Sequence, residues 1–439
     1  MKHLVFLVGS YHPHFSAVGT CCYNIAEEMV RQNKVTVVCM KSRHHQSDRE
    51  DYQGQTIIRV SHRWWDTRMK LDEKIKSSSG IIKKWYTFLL NTVRAKEYLQ
   101  IVVSRASLKQ AWIKAYESAL ENIDDPIDVI IPMCFPMEAV VAGMEYKQKH
   151  PKVKLIPYLF DQFVDRKELH KLGLLRKMKM HRHLSVEEDM IKISDGLLAI
   201  HSLQRHFATH FPESTTKFQF VEHPLIKPIR PTNIKDHTIS DFDQCNIVYT
   251  GALLIGYVTP DYMLSLLSIV RLQIEFTMHL YIGGNCEKTI AKYQEIMPAN
   301  IVNHGYVDKE TALNALTETN ILINIAEIKG VQISSKIFEY MSTGKPIVHF
   351  YTASEDVNVK ILKDYPLCLC LKQDQQLLQE NAEKFIRFCR DNKDKTLNFT
   401  EIEKVYFYAT PKFNAVKMLE IINRGEQHCD MSKDLSYGR

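Results

Sequence analysis

Lys2 to Val8 (KHLVFLV) is a continuous apolar run closed by Gly9, the pattern of a strand covered on both faces. Cys22, Ile25, Ala26, Met29 and Val30 then recur at helical spacing, and Lys34 to Met40 (KVTVVCM) forms a second apolar run. Strand, glycine-containing loop, helix and strand predict a βαβ unit with a right-handed crossover. The rhythm returns at Val129–Ile131, Val153–Leu159 and Gly196–Ile200. From His223 to Asp243 the chain is polar, carries three prolines and keeps no period, as an interdomain linker does. A second series follows, with strands expected at Asn246–Tyr249, His279–Ile282, Ile321–Ile325 and Pro346–Phe350, and a last helix over Phe413–Ile422 after Pro411. The expectation is an α/β protein of two Rossmann-like domains facing a central cleft, with ligands at the carboxyl ends of the strands. Its boundaries are read as 1–225, a linker at 226–243, a second domain at 244–409, a helix at 410–425 and a tail at 426–439.

Composition changes this picture little. With 439 residues, 45% of them hydrophobic and 25% charged, the chain has the make-up of an ordinary globular protein of two or three domains. Disordered, collagen-like and small disulfide-rich classes are excluded. The longest apolar stretch, Ile127 to Met144, contains Asp128, Pro132, Pro136 and Glu138 and would span a bilayer poorly. The ten cysteines form no C-x-x-C, and the apolar run at the N-terminus is too short for a signal sequence, so reduced thiols and a cytoplasmic location are expected. The net charge of +6 over 439 residues gives no basis for a nucleic-acid partner.

One stretch departs from the α/β rhythm. Between Arg63 and Leu120 basic residues outnumber acids, and all four tryptophans (Trp64, Trp65, Trp85, Trp112) lie there. Ile81, Ile82, Trp85, Tyr86, Leu89 and Val93 fall on one helical face. A second basic run covers Arg166, Lys167, Lys171, Arg176, Lys177, Lys179 and Arg182. One reading is a pair of surface helices whose apolar sides pack on the domain. The other is an amphipathic surface that touches anionic lipid at the inner face of a membrane.

The candidate chemistry concentrates in Val331–Phe350 (VQISSKIFEYMSTGKPIVHF). Ser334 or Ser335 can N-cap a short helix, Ile337, Tyr340 and Met341 form its buried face, and Gly344 suits a left-handed C′ position before Pro346. Lys336 and Glu339 project from one side of that helix. A lysine beside free backbone N–H groups suits a phosphate, and a carboxylate one turn further on suits vicinal hydroxyls, so the pair describes a nucleotide site. In the first half, His12 and His14 follow the first strand and Asp161 ends another, which places all three at the expected cleft. Asp241-Phe242-Asp243 spells a D-x-D within the expected linker, where it reads as a solvated turn. No P-loop, G-x-S-x-G or G-x-G-x-x-G occurs.

SSKIFEYMSTGKPIV resembles the C-terminal motif of retaining GT-B glycosyltransferases of the family-four group, and SYHPHFSAVGTCCYNIAEEM resembles that group's opening loop and first helix. NIVYTGAL, HGYV and YATPKFNAVKMLEI continue the resemblance in the family's order over most of the chain. It implies a nucleoside-diphosphate sugar as donor, with Glu339 on the ribose hydroxyls and Lys336 and Ser335 on the phosphate side. It further implies Gly251 in the first loop of the donor domain, Tyr306 and Val307 at the base, and Gly19 in the N-terminal loop close to the donor. Lys336, Asp161 and His14 would be the catalytic residues, the last two on the side of the acceptor, which would be a glycan or a polyprenyl-linked sugar in surface polysaccharide synthesis. The last helix would cross back onto the first domain, and no metal or other cofactor would take part. Two departures stand out. Val331 occupies the place of the family's first motif glutamate, with Glu327 nearby but off register, and the segment after Gly251 (ALLIGYVTPDYM) has no Lys or Arg. A hexosyltransferase is therefore expected, with a degenerate non-catalytic subunit or a nucleotide-sugar epimerase or hydrolase on the same fold as alternatives.

Overall fold

In a computed structural model of the chain, the described residues are 1–104, 106–164, 176–229, 239 and 244–424. They divide into two compact units, one of Met1–Pro224 with the chain from Pro411 onward, the other of Leu225–Thr410.

The first unit is built on β1 (His3–Val8), β2 (Lys34–Met40), β3 (Arg49–Tyr52), β4 (Gln55–Val60), β5 (Val129–Cys134), β6 (Lys154–Leu155), β7 (Tyr158–Leu159), β8 (Leu197–Ile200) and β9 (Phe218–Val221). Their order is β3-β4-β2-β1-β5-β7-β8-β9, with β6 also on β5, and every pairing but β3–β4 is parallel. Every residue of β1 and β5 is buried, as their unbroken apolar runs require. The helices of this unit are α1 (Ala17–Met29), α2 (Arg63–Lys76), α3 (Gly80–Val103), α4 (Gln110–Glu121), α5 (Met137–Lys149), α6 (Arg176–Ile193) and α7 (Gln204–His210). The second unit carries an all-parallel sheet of six strands, β10 (Cys245–Leu253), β11 (Phe276–Gly284), β12 (Ile301–Asn303), β13 (Ile321–Ile325), β14 (Ile347–Tyr351) and β15 (Cys368–Lys372), in the order β12-β11-β10-β13-β14-β15. Its helices are α8 (Asp261–Val270), α9 (Glu287–Ile296), α10 (Lys309–Glu318), α11 (Lys336–Ser342), α12 (Val357–Leu362), α13 (Leu378–Asn392) and α14 (Phe399–Val405).

The final helix, α15 (Pro411–Ile422), belongs to the first unit, where it packs on α1. Tyr158 donates to Asn414 Oδ1 at 2.8 Å, and Lys154 Nζ donates to the Ile422 carbonyl at 2.6 Å. No helix among the described residues is long and apolar enough to cross a membrane.

Several expectations need correction. The strand read over Val153–Leu159 is broken into β6 and β7 because Pro157 has no N–H to give the ladder. The β3–β4 hairpin was not anticipated, since β3 (REDY) is polar and the adjoining Ile57 and Ile58 of β4 blur the alternation; it turns through Gln53 and Gly54, both with positive φ. Helix α1 takes in the helical spacing from Cys22 to Met29 and starts at Ala17, capped by Ser16 Oγ, which accepts from Gly19 N at 3.0 Å. On α3 the buried residues are Leu90, Val93 and Glu97, whereas Ile81, Ile82 and Trp85 are exposed. Here α2 covers only the side that carries Leu90 and Val93, in a small cluster with Leu71. The D-x-D at 241–243, most of the expected linker and the basic residues 166, 167 and 171 lie outside the described residues.

Candidate functional site

Strands β10 and β11 pair in register from Cys245–Phe276 to Leu253–Gly284, so their carboxyl ends share one edge of the second sheet. That edge holds the donor-side candidates. At Gly251 the backbone takes φ +116°, and a Cβ there would sit 2.2 Å from Lys336 Cε and 2.3 Å from Lys336 Nζ. The lysine therefore lies directly over the glycine, which only a residue without a side chain allows. Lys336 Nζ donates to the Tyr249 hydroxyl at 3.1 Å and stands 4.7 Å from the centre of that ring. Burial pushes the Lys336 ammonium below the ordinary lysine range, opposed by the Tyr340 phenol and the Glu339 carboxylate. A second phenol ties the strand to the helix, since Thr250 N donates to the Tyr340 hydroxyl at 3.1 Å.

Glu339 is half-buried, and its carboxylate has no hydrogen-bond partner among the described residues. Helix α11 has only seven residues, so its dipole is small and the charge of Lys336 is the main positive feature of this edge. Ile337, Tyr340 and Met341 are fully buried as expected, and Gly344 takes φ +74°. Ser335 occupies the N-cap position, but its backbone is helical and its side chain makes no cap bond. Ser334 is used otherwise, donating from Oγ to Asn324 Oδ1 at 3.0 Å and from N to Asn358 Oδ1 at 2.7 Å. The expectation of a serine cap thus fails because the helix entry is fixed from the flanking elements. Tyr306 is 84% exposed and sits near Gly283 at the end of β11, with half-buried Val307 beside it.

Glu327 and Val331 resolve the broken glutamate pair. Val331 is 64% exposed, while Glu327 is buried and turned into its own loop. Its Oε1 accepts from Val331 N at 2.8 Å and its Oε2 from Lys329 N at 2.8 Å. A carboxylate that caps backbone N–H groups in this way shapes the loop. Replacement by Gln places an amide N–H₂ against one of those donors and is expected to lower stability by about 1–2 kcal/mol, read from urea denaturation.

The remaining candidates belong to the first unit. Gly19 lies in the first turn of α1 rather than in the loop, and a Cβ there would meet the Ser10 carbonyl oxygen at 2.0 Å, so the glycine lets the loop after β1 close onto the helix. His14 is half-buried in that loop, its ring pushed toward the neutral form by burial and by Arg43. Asp161 follows β7 by two residues and is half-buried. Since β1, β5 and β7 are adjacent and parallel, both residues stand at the carboxyl edge of the first sheet. His12 is held structurally, stacked on Tyr52 with ring centres 3.8 Å apart and its carbonyl bound by Arg59. Sequence reasoning missed Tyr249 and Tyr340, both inside motifs it quoted but indistinguishable there from core aromatics. No group of three or more His, Cys, Asp or Glu side chains among the described residues could hold a metal ion.

No protein-family model matches the sequence, and no curated protein matches it. Solved structures do. A sucrose-phosphate synthase from Thermosynechococcus elongatus superposes with a TM-score of 0.60 at 10% identity, covering 96% of this chain and 99% of that one. The N-terminal domain of trehalose-6-phosphate phosphatase from Candida albicans gives 0.59 at 10% identity, over 97% of both chains. The fold is of the GT-B type. A lipopolysaccharide outer core galactosyltransferase, WaaB, in its apo form gives 0.52 at 11% identity, over 95% of this chain and 99% of that one. At such identities the likeness concerns architecture, and the GT-B chain described here carries its chemistry in its own residues.

Proposed function

We propose that this GT-B protein is a glycosyltransferase that moves a hexosyl group from a nucleoside-diphosphate sugar to a glycan or lipid-linked acceptor, with retention at the anomeric carbon. The observation that carries the reading is Lys336, desolvated over Gly251 and held at the Tyr249 hydroxyl, beside a carboxylate on Glu339 with no hydrogen bond among the described residues. A half-buried cation with no ion pair among the described residues favours an anionic ligand, and a half-buried carboxylate with no hydrogen bond among them favours hydroxyl donors. A sugar diphosphate with its ribose supplies both. Solved structures that share the fold include a synthase and a galactosyltransferase acting on sugars, which supports the same class.

In the reaction, the bond between the anomeric carbon and the diphosphate oxygen breaks and its electron pair leaves with the diphosphate, while the acceptor hydroxyl oxygen bonds to the anomeric carbon on the same face and its proton passes to the departing diphosphate. Lys336 would stabilise that developing charge. Val331 and the inward turn of Glu327 favour a second reading, a subunit that binds nucleotide without turnover. Release of nucleoside diphosphate in the presence of acceptor separates the two.

The test is thermal stability with UDP, GDP, ADP, TDP and CMP, on the wild type and on Glu339→Ala. One diphosphate is expected to stabilise the wild type by about 2.7 kcal/mol at a hundred times its dissociation constant. Glu339→Ala should lose that shift. If no nucleotide stabilises the wild type at millimolar concentration, the proposal fails.

A further inference from the structure

We infer that the tip of the α2–α3 hairpin is a lipid-docking element, which inserts the exposed side chains of Ile81, Ile82, Trp85 and Phe88 into the interface of an anionic membrane. These residues are 86%, 60%, 57% and 58% exposed, and Trp85 and Phe88 stack on one another with centres 5.9 Å apart. Helical geometry places Ile81, Trp85 and Phe88 on one stripe, roughly 150° around α3 from the buried stripe of Leu90, Val93 and Glu97. The helix therefore has two apolar faces, and α2 covers only one. An aromatic cluster of this size open to water marks a contact surface.

The charges around it select the occupant. Lys76, Lys83 and Lys84 are exposed and form no ion pair among the described residues. The two acids of the same hairpin tip are already engaged, Asp72 with Arg68 and Arg94, and Glu73 with His45. An apolar point ringed by uncompensated lysines complements an anionic, interfacial surface, where each lysine adds roughly a factor of five to partitioning. No spanning helix is needed for this mode of attachment.

The inference stands on the hairpin alone and is tested without substrate, so its failure and that of the transferase reading are separable. The full chain would be sedimented with phosphatidylcholine vesicles, with and without phosphatidylglycerol. Binding is expected only to the anionic vesicles and should weaken as salt rises. Trp85→Ser with Phe88→Ser should weaken it on the order of a hundredfold, and Lys83→Glu with Lys84→Glu on the order of tenfold or more. Trp85→Phe should keep binding while losing the part of the tryptophan quenching that brominated lipid produces in the wild type. Far-UV circular dichroism verifies that each variant is folded. The inference is overturned if the wild type fails to bind, binds neutral vesicles equally, or binds as tightly after the serine changes. It is also overturned if the wild type is a dimer that the serine changes convert to monomer, with no lipid binding.

Discussion

Lys336→Ala is expected to lower turnover by roughly 10²–10³-fold while leaving stability unchanged or slightly raised. The opposite signs follow from the position of the side chain. Its ammonium is desolvated above Gly251, and burial pushes its pKa down, so in the folded protein the charged form is held at a cost. Removing it relieves that cost but leaves the departing diphosphate without its nearest cation. A lysine kept only for packing would show the reverse, lower stability with activity intact. The pH profile carries the same information. The protonated form is the active one and its pKa is depressed, so kcat/KM should fall on the alkaline side before an ordinary lysine, near pH ~10.4, would titrate. Gly251→Ala provides the coupled test, because its Cβ would displace Lys336 from Tyr249. Nucleotide affinity should fall in each single variant, and the double variant should be little worse than Lys336→Ala. Additive losses would show that glycine and lysine act apart.

The sequence was informative wherever local chemistry determines structure. Unbroken apolar runs placed β1, β2, β10, β11, β13 and β14 near their observed positions, since a strand covered on both faces tolerates little else. Helix α11 and its left-handed Gly344 were equally plain. What stayed hidden depends on partners distant in the chain. Thr250 and Tyr340 are 90 residues apart, and nothing in either motif announces that they meet. Glu327 satisfies backbone N–H groups, and those carry no residue identity. On α3 the periodicity was visible, but a helix with two apolar faces does not say which one its neighbour will cover. The β3–β4 hairpin gave only a weak signal, because β3 (REDY) is polar and the apolar residues of β4 are Ile57, Ile58 and Val60.

Asp356→Ala is expected to destabilise the second unit by about 3 kcal/mol and to weaken nucleotide binding with it. Asp356 is buried at the start of α12, where its Oδ1 accepts from Asn358 N at 2.7 Å and Val359 N at 3.2 Å. Fully buried His349 stands 3.3 Å from the same oxygen through Nε2, and its Nδ1 lies 2.8 Å from Asn324 Nδ2. Because an amide nitrogen donates, Nδ1 must accept and Nε2 carries the proton toward the carboxylate. Asn324 in turn takes the Ser334 hydroxyl, and Asn358 takes Ser334 N, so a closed ring of buried polar groups fixes the residue two positions before Lys336. Deleting the carboxylate removes a helix cap and leaves His349 without its acceptor, a loss in the range typical of broken buried pairs. Burial pushes the Asp356 carboxyl up, but His349 and the N–H groups of Val359 and Asn358 outweigh it and hold it below the usual range. Its stabilisation is therefore complete above the unfolded aspartate value, near ~3.9, and disappears as pH falls through the lower folded value. Asp356→Asn keeps an acceptor for the cap and should lose stability less steeply in acid than the wild type. All four tryptophans lie in the first unit, so far-UV circular dichroism in urea is the appropriate probe. A wild-type midpoint in Asp356→Ala at pH 7 would show that the ring contributes nothing, and an unchanged nucleotide affinity would show that it does not set the position of Lys336.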